Sequence, residues 1–206
     1  DLDLALTTNG ALLASKATLL KNAGLNRVTV SLDSLNAETF ALMSDVKLPV
    51  ERVLQGIETA TNVGLTPIKI NMVVKAGINE HSILPMAHYF KGTGNVVRFI
   101  EYMDVGQTNG WRLDEVVSAS KIIGLINSEL PLEPVSPGYR GEVARRWKYK
   151  DGTGEIGIIT SGTMSPTLQK AIAFGYVSTD FNVNDEIYIE IRNKHIKAKI
   201  VTLPFI

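Results

Sequence analysis

Polar side chains alternate with apolar ones in four segments of the chain that otherwise have the composition of buried strands. In chain order they are Thr7; Thr29, Ser31 and Asp33; Lys69 and Asn71; and Glu101, which is predicted to share its face with Met103. Successive side chains of a strand point to opposite faces, so these positions give each strand one polar face. Strands of a parallel sheet are normally apolar on both faces because helices cover them. A polar face that recurs in four strands therefore predicts a surface that binds a polar ligand.

The polar positions lie near the carboxyl end of each segment, which is the end where parallel barrels build their active sites. We therefore expect a polar lumen that opens onto a ligand pocket.

Two other roles are open for Lys69. It could form a structural ion pair with Asp33 or Glu101, although desolvation offsets much of the attraction in such pairs. It could also form a Schiff base with a carbonyl substrate, as barrel lysines of aldolases do.

The elements that must position these residues repeat one pattern of strand, turn, helix and strand. The predicted strands are Leu2–Thr8, Arg27–Asp33, Pro67–Val74 and Val96–Asp104. The predicted helices are Leu12–Ala23, a short helix capped by Asn36, Val50–Val63 and His81–Phe90. Repeated units of this kind imply parallel strands with right-handed crossovers. The predicted fold class is α/β, with a partial parallel (β/α) barrel, an incomplete TIM-like barrel; a doubly wound open sheet is the alternative.

The repeated strand–helix pattern does not continue after Gly106. A helix is predicted over 118–129, and Pro131, Pro134 and Pro137 are expected to break regular structure. The segments 147–150 and 155–160 are predicted to form a hairpin around a glycine-rich turn. Beyond residue 161 we expect a short helix over 165–174 and two strands, 186–192 and 195–202. The predicted carboxyl-terminal appendage is therefore small and rich in β-structure.

Composition excludes several classes of function. The 206 residues carry 21 basic and 21 acidic side chains, so the formal net charge is zero and predicts no binding to nucleic acid or to an anionic membrane. No targeting segment or membrane-spanning run is recognisable, and a cytoplasmic location is expected. The chain has no cysteine, which excludes disulfides, a thiolate nucleophile and an iron–sulfur cluster on thiolates. Its three scattered histidines predict no metal site.

Four motifs in the predicted strands carry a resemblance to a known family. They are Thr7-Thr8-Asn9-Gly10, Ser31-Leu32-Asp33-Ser34-Leu35, Ile68-Lys69-Ile70-Asn71 and Arg98-Phe99-Ile100-Glu101-Tyr102-Met103. In this order and at this spacing they resemble the radical S-adenosylmethionine (SAM) GTP 3′,8-cyclases, lyases that catalyse the first step of molybdopterin biosynthesis. Residues 111–160 continue the resemblance into the substrate-binding part of that family.

The resemblance implies GTP and SAM as ligands. Thr7 and Lys69 match positions that bind GTP in the family, and Ser31 and Met103 match positions that contact SAM. The family uses SAM bound to a [4Fe–4S] cluster to generate a radical that acts on the ribose of GTP.

The chain differs from the family in the cysteines that hold its iron–sulfur clusters. The C-x-x-x-C-x-x-C loop expected before residue 1 and a second cysteine cluster expected after Thr160 are absent. We therefore expect that [4Fe–4S] clusters cannot be bound and that the chain is an inactive cyclase. A non-catalytic fragment that retains weak GTP or SAM binding is the alternative. Exposed strand edges of a partial barrel would favour its self-association.

A second resemblance begins near Thr160. Residues 160–168, 173–177, 190–192 and 203–206 resemble the carboxyl-terminal domain of the glycine cleavage T-protein, a folate-dependent aminomethyltransferase. An aminomethyltransferase-related function of this segment is a further alternative, with no residue assigned to it. The predicted division is a partial barrel in 1–106, a truncated cyclase substrate-binding segment in 107–160 and a T-protein-like segment in 161–206. Such a fusion fits a natural deletion, an engineered chimera and a sequence-assembly artefact equally well.

Overall fold

Two units divide the chain, Asp1–Ser161 and Gly162–Ile206. The computed structural model describes residues 2–44, 48–102, 115–136, 144–159, 162–165, 170–173, 180–191 and 194–202. The predicted domain boundaries after residues 106 and 160, like Met103, lie outside these ranges and stay predictions.

The first unit alternates strands and helices, as its sequence pattern predicts. Its strands are β1 Ala5–Thr8, β2 Arg27–Ser31, β3 Lys69–Val74, β4 Val96–Glu101, β5 Leu132–Val135, β6 Arg145–Tyr149 and β7 Glu155–Ile159. Its α-helices are α1 Leu13–Asn22, α2 Ala37–Ser44, α3 Val50–Asn62, α4 Ile83–Phe90 and α5 Ala119–Glu129, and a 3₁₀ turn at Glu80–Ser82 precedes α4.

The seven strands form one sheet in the order β1-β2-β3-β4-β7-β6-β5. The first five strands of this order are parallel, and β6 and β5 pair antiparallel to the strands beside them. The hairpin predicted for the segments 147–150 and 155–160 is confirmed as the antiparallel pair β6–β7. The prediction that Pro134 breaks regular structure was wrong, because it lies in β5 at the end of the sheet, where a missing N–H leaves no pairing partner unsatisfied.

The helices and one face of the sheet form a single hydrophobic core. Strand residues in this core include Val28 and Val30, Ile70 and Met72, Val97 and Phe99, and Ile156 and Ile158; helix residues include Leu13, Val53, Ile57, Met86 and Ile122. Strands that follow one another in chain order with crossovers of one hand place all their helices on the same side. The opposite face of β1–β4 keeps exposed or half-buried side chains. A doubly wound sheet, the alternative prediction, would have helices on both faces.

Helix ends follow the predicted signals. Asn36 Oδ1 accepts the Thr39 N–H at 2.9 Å, which confirms the predicted cap of α2. Gly24 and Gly64 follow α1 and α3 with φ of +93° and +81°. The next residue after each glycine donates its N–H to the carbonyl five positions earlier, in the pattern of a Schellman motif. The two helix-to-strand joints are therefore equivalent.

The second unit consists of two hairpins in its described residues. Strands β8 Gly162–Ser165 and β9 Lys170–Ala173 pair antiparallel, as do β10 Glu186–Ile191 and β11 Lys194–Lys199. The β10–β11 hairpin confirms the two predicted strands. The helix predicted over 165–174 was wrong: its described ends are strands, because pairing supplies hydrogen bonds that a short helix in water does not secure.

Gly10, in the turn between β1 and α1, offers a test of how closely α3 packs on this turn. Its φ is +78°, and an added Cβ would lie 2.8 Å from Val53 Cγ1. We expect Gly10→Ala to lower the free energy of unfolding by about 2–4 kcal/mol, from backbone strain and overpacking together. Gly24→Ala is the control, because its φ is +93° and no atom lies within 4 Å of the added Cβ. Strain alone should cost about 1–2 kcal/mol there; equal losses in urea unfolding would contradict the close contact.

Candidate functional site

One row of side chains crosses the face of the sheet that the helices leave uncovered. Thr7 on β1 pairs in register with Thr29 on β2, and Thr29 pairs with Lys69 on β3. Residues paired in a sheet point to the same face. Thr7 is exposed, whereas Thr29 and Lys69 are half-buried. The structure therefore brings Thr7 and Lys69 into one row, about 10 Å apart across two strand spacings.

A second row lies one step closer to the carboxyl ends of the strands. Ser31 pairs in register with Asn71, Asn71 with Arg98, and Arg98 with Gly157. Arg98 Nε donates to Asn71 Oδ1 at 2.9 Å, and Arg98 Nη2 lies 3.5 Å from Thr29 Oγ1. The guanidinium therefore links the second row to the first.

Arg98 is the residue of this face that sequence reasoning missed. Its neighbour Gly157 gives the signal that could have found it, because glycine inside a strand often marks a close approach of another group. A Cβ on Gly157 would lie 3.0 Å from Arg98 Cγ, so the arginine stem lies beside β7 where glycine leaves room. Arg98 thus adds a guanidinium to the polar face, on the strand next to that of Lys69.

The prediction for Glu101 was wrong. Glu101 pairs in register with Val74, whose side chain belongs to the helix-covered face. Its carboxylate accepts the N–H of Ala119, the first residue of α5, where a negative charge is favourable. Register instead places Arg98, Ile100 and Tyr102 toward the polar side. Strand β4 carries a charged side chain on each face, so its own sequence could not decide which face joins the neighbouring rows.

The end of β2 is held by side chains in addition to the backbone bond from the Leu32 N–H to the Asn71 carbonyl at 2.9 Å. Asp33 Oδ1 accepts the Val73 N–H at 2.8 Å. Asn79, which is fully buried, accepts the Lys75 N–H through Oδ1 at 2.8 Å. Its Nδ2 donates to the carbonyls of Asp33 and Val73 at 2.9 and 2.7 Å. These four side-chain bonds fix the spacing between the ends of β2 and β3, just beyond Ser31 and Asn71.

Two cavities lie away from the polar face. One, of about 360 Å³, lies near the amino ends of β4 and β7, where Lys91 pairs with Asp151 beside Tyr149. The other, of about 380 Å³, lies between β1 and α1 on the helix side. The predicted ligand pocket on the polar face stays a prediction, and that face is open to solvent at Thr7 and Ser31.

Comparisons with known proteins match consecutive parts of the chain to two families. Residues 1–90 match the Radical SAM superfamily and residues 95–165 match the family Molybdenum Cofactor Synthesis C. The GTP 3′,8-cyclase of Acidothermus cellulolyticus is 51% identical over 161 residues, which are 78% of this chain and 44% of that protein. The larger part of this chain is thus related to the radical SAM GTP 3′,8-cyclases. We refer to the unit Asp1–Ser161 as the cyclase-like unit.

Other cyclases give the same result. The GTP 3′,8-cyclase of Xanthomonas campestris is 48% identical over 159 residues, which are 77% of this chain and 47% of that protein. The enzyme of Staphylococcus carnosus is 42% identical over 163 residues, covering 79% of this chain and 48% of that protein. The chain therefore spans about half the length of the cyclases it matches.

The carboxyl-terminal residues have a different relationship. Residues 137–206 match the family Glycine cleavage T-protein C-terminal barrel domain, and this match overlaps the cyclase-related match between residues 137 and 165. Both resemblances recognised from the sequence are thereby confirmed.

Metal and cofactor groups implied by the cyclase family can be compared with the donors present. The 206 residues include no cysteine, so they do not fit an iron–sulfur cluster held by thiolates. Within the described ranges, no three side chains of histidine, aspartate or glutamate cluster as metal ligands would. In the same ranges no helix is long and apolar enough to cross a bilayer.

Asp33 gives the cyclase-like unit a pH-dependent stability. Burial raises the pKa of this carboxyl from its ordinary 3.8 to about 6, against the opposing effect of the Val73 N–H. A raised pKa means that the folded protein holds the proton more tightly than the unfolded chain. The contribution to stability is therefore full below about pH 4 and is lost as the pH rises to about 6.

Asp33→Asn removes this ionisation and keeps an oxygen that can accept the Val73 N–H. We expect the variant to be more stable than the wild type above pH 7, by about 1–3 kcal/mol, and to lose this advantage near pH 4. Urea unfolding at pH 4.5 and 7.5 measures the difference. Asp151→Asn is a control of opposite sign, because Lys91 holds the pKa of Asp151 well below its usual value. An Asp33→Asn effect that does not change with pH would contradict the buried carboxyl.

Proposed function

We propose that the cyclase-like unit forms one wall of a GTP- and SAM-binding site of the GTP 3′,8-cyclase type, on a partial (β/α) barrel. The observation that carries this proposal is the pair of polar rows, Thr7–Thr29–Lys69 and Ser31–Asn71–Arg98, on adjacent parallel strands. Both rows lie opposite the helices. In a closed barrel, that face would line the lumen, where such enzymes bind their ligands.

The charges of this face support a triphosphate ligand. Lys69 offers a compact ammonium and Arg98 a planar guanidinium, and both kinds of group bind phosphate oxygens. Arg98 already donates to Asn71, which holds the guanidinium against the sheet instead of leaving it on a free side chain. Thr7, in the row of Lys69, would add a hydroxyl to the same ligand. These contacts would place GTP across β1, β3 and β4.

SAM is the second ligand of the proposal. Ser31 lies exposed in the second row, at the carboxyl end of β2, and its hydroxyl can donate or accept a hydrogen bond. The bonds of Asp33 and Asn79 just beyond it hold this strand end in place. Met103, the other predicted SAM contact, lies outside the described residues.

Turnover is not part of the proposed function of these 206 residues. The family's chemistry needs a cluster held by cysteine thiolates, and the chain has no cysteine. We therefore assign no radical step to this chain and propose a binding function of the cyclase type, with molybdenum cofactor biosynthesis as its family context. The division into 1–106, 107–160 and 161–206 is part of this proposal.

Equilibrium dialysis with labelled GTP tests the proposed face. We expect Lys69→Ala to weaken GTP binding about 10- to 100-fold, the range for losing one charge-assisted hydrogen bond. Lys16→Ala is the matched control, because Lys16 is exposed on α1, on the helix side of the sheet, and should leave GTP binding unchanged. Identical retention of GTP by the wild type and Lys69→Ala would remove the proposal's support.

Self-association is a second candidate property, and a specific observation favours it. β1 is the terminal strand of the sheet, and the cavity of about 380 Å³ between β1 and α1 is lined mainly by leucines. Leu12 and Leu19 at this cavity are 58% and 62% exposed. A strand edge beside exposed leucines is a surface on which chains associate. We propose that two copies of this chain associate through β1 and α1.

Sedimentation of Leu19→Glu tests this surface. We expect the wild type to sediment as a dimer or larger species and Leu19→Glu to sediment as a monomer, because a buried carboxylate opposes association. Leu42→Glu is the matched control, since Leu42 is 69% exposed on α2, away from this edge. A monomeric wild type, or equal effects of both variants, would contradict the proposed interface.

A further inference from the structure

Three groups meet at the carboxyl end of β3. Lys75 Nζ lies 2.8 Å from Glu115 Oε2 and 3.4 Å from the Tyr102 hydroxyl. The same ammonium lies 4.4 Å from the centre of the Tyr102 ring, within the range of a cation–π interaction. Glu115 also raises the pKa of Lys75, so the ammonium stays charged at neutral pH. One lysine therefore contacts two residues that lie far apart in the sequence.

Backbone bonds bring the same two residues to β3. The Tyr102 N–H donates to the Val74 carbonyl at 3.3 Å, and the Ala76 N–H donates to the Glu115 carbonyl at 2.9 Å. Lys75 itself forms an isolated antiparallel bridge with Val116. Tyr102 directly follows β4, and Glu115 lies four residues before α5. Lys75 thus contacts one residue that follows β4 and one that precedes α5.

The cluster of Lys75, Tyr102 and Glu115 lies on the same side of the sheet as the polar face. Side chains alternate along β3 and the residue that follows it, so Lys75 points to the same side as Lys69 and Asn71. Tyr102 shares that side with Arg98 by the same rule. The three-residue cluster lies at the carboxyl end of the polar rows.

We propose that Lys75 is a positioning residue of the polar face, which fastens Tyr102, the residue after β4, and Glu115, which precedes α5, to the end of β3. An ordinary surface ion pair would join two exposed side chains and add little. The Lys75 and Glu115 side chains are only 20% and 27% exposed, and the ammonium has an aromatic ring as a third partner. The consequence for ligands rests on the proposed function, whereas the fastening itself does not.

Amide hydrogen exchange of the full chain tests the fastening. Lys75→Met keeps an unbranched apolar side chain and removes the charge. We expect it to speed exchange of the Ala76 and Tyr102 amides about threefold to fivefold, the factor for a partly exposed ion pair. Exchange at Ile70 and Met72, in the middle of β3, should not change. Lys75→Arg should restore slow exchange, and Lys121→Met, which removes the exposed pair with Glu80, should leave both amides unaffected.

Dialysis with labelled SAM and labelled GTP adds a readout that a purely structural role would not move. We expect Lys75→Met to weaken retention of SAM or GTP while the β3 core amides exchange as in the wild type. Unchanged exchange at Ala76 and Tyr102, or faster exchange throughout β3, would overturn the fastening. Local exchange changes with unaltered ligand retention would overturn the positioning role. Failure of the wild type to retain either ligand would refute the proposed function, and the exchange pattern would still decide whether Lys75 fastens Tyr102 and Glu115.

Discussion

Apolar contact between the helices and a single face of the parallel sheet is the constraint on which the first unit depends. Ile70, Met72 and Phe99 point into this contact and are fully buried. Because side chains alternate, the residues between them must point the other way, and no described helix covers them. Alternation therefore leaves the other face of the sheet without helices. Polar side chains are tolerated on that face because they do not pay the desolvation cost that they would incur between two layers of helices.

Hydrogen bonds organise that second face into more than a solvated surface. Arg98 is held by Asn71 and approaches Thr29, and Gly157 leaves room for its stem. At the strand ends, the Asn79 amide satisfies three backbone groups at once, in a buried position where an unpaired group would be costly. These bonds hold Arg98 and the ends of β2 and β3 in place beside Ser31 and Lys69, two of the positions that the family resemblance assigns to ligands.

Two family relationships meet in this chain. The cyclase-like unit retains the strands that present the polar rows, and the carboxyl-terminal residues match a T-protein barrel domain. The missing element is the thiolate, because no residue of the chain can hold a cluster in the manner of the cyclases. The polar rows are side chains of the sheet and are present in this chain, whereas a cluster of the family's type depends on thiolate ligands that these residues do not supply.

The sequence by itself determined the repeated strand–helix units, from which parallel strands follow, the cap at Asn36 and the alternation that gives β2 and β3 one polar face each, since alternation and turn signals are local properties of the chain. Strand register was decided only by the tertiary structure. Glu101, predicted on the polar face, lies on the helix face, and Arg98 lies on the polar face. The pairing of β4 with β3 sets which side each residue occupies. The same holds for β5, where Pro134 is accommodated at a sheet edge, and for β8 and β9, where pairing between short segments replaced a helix. Local patterns specify which residues alternate, and long-range pairing specifies which of the two faces they reach.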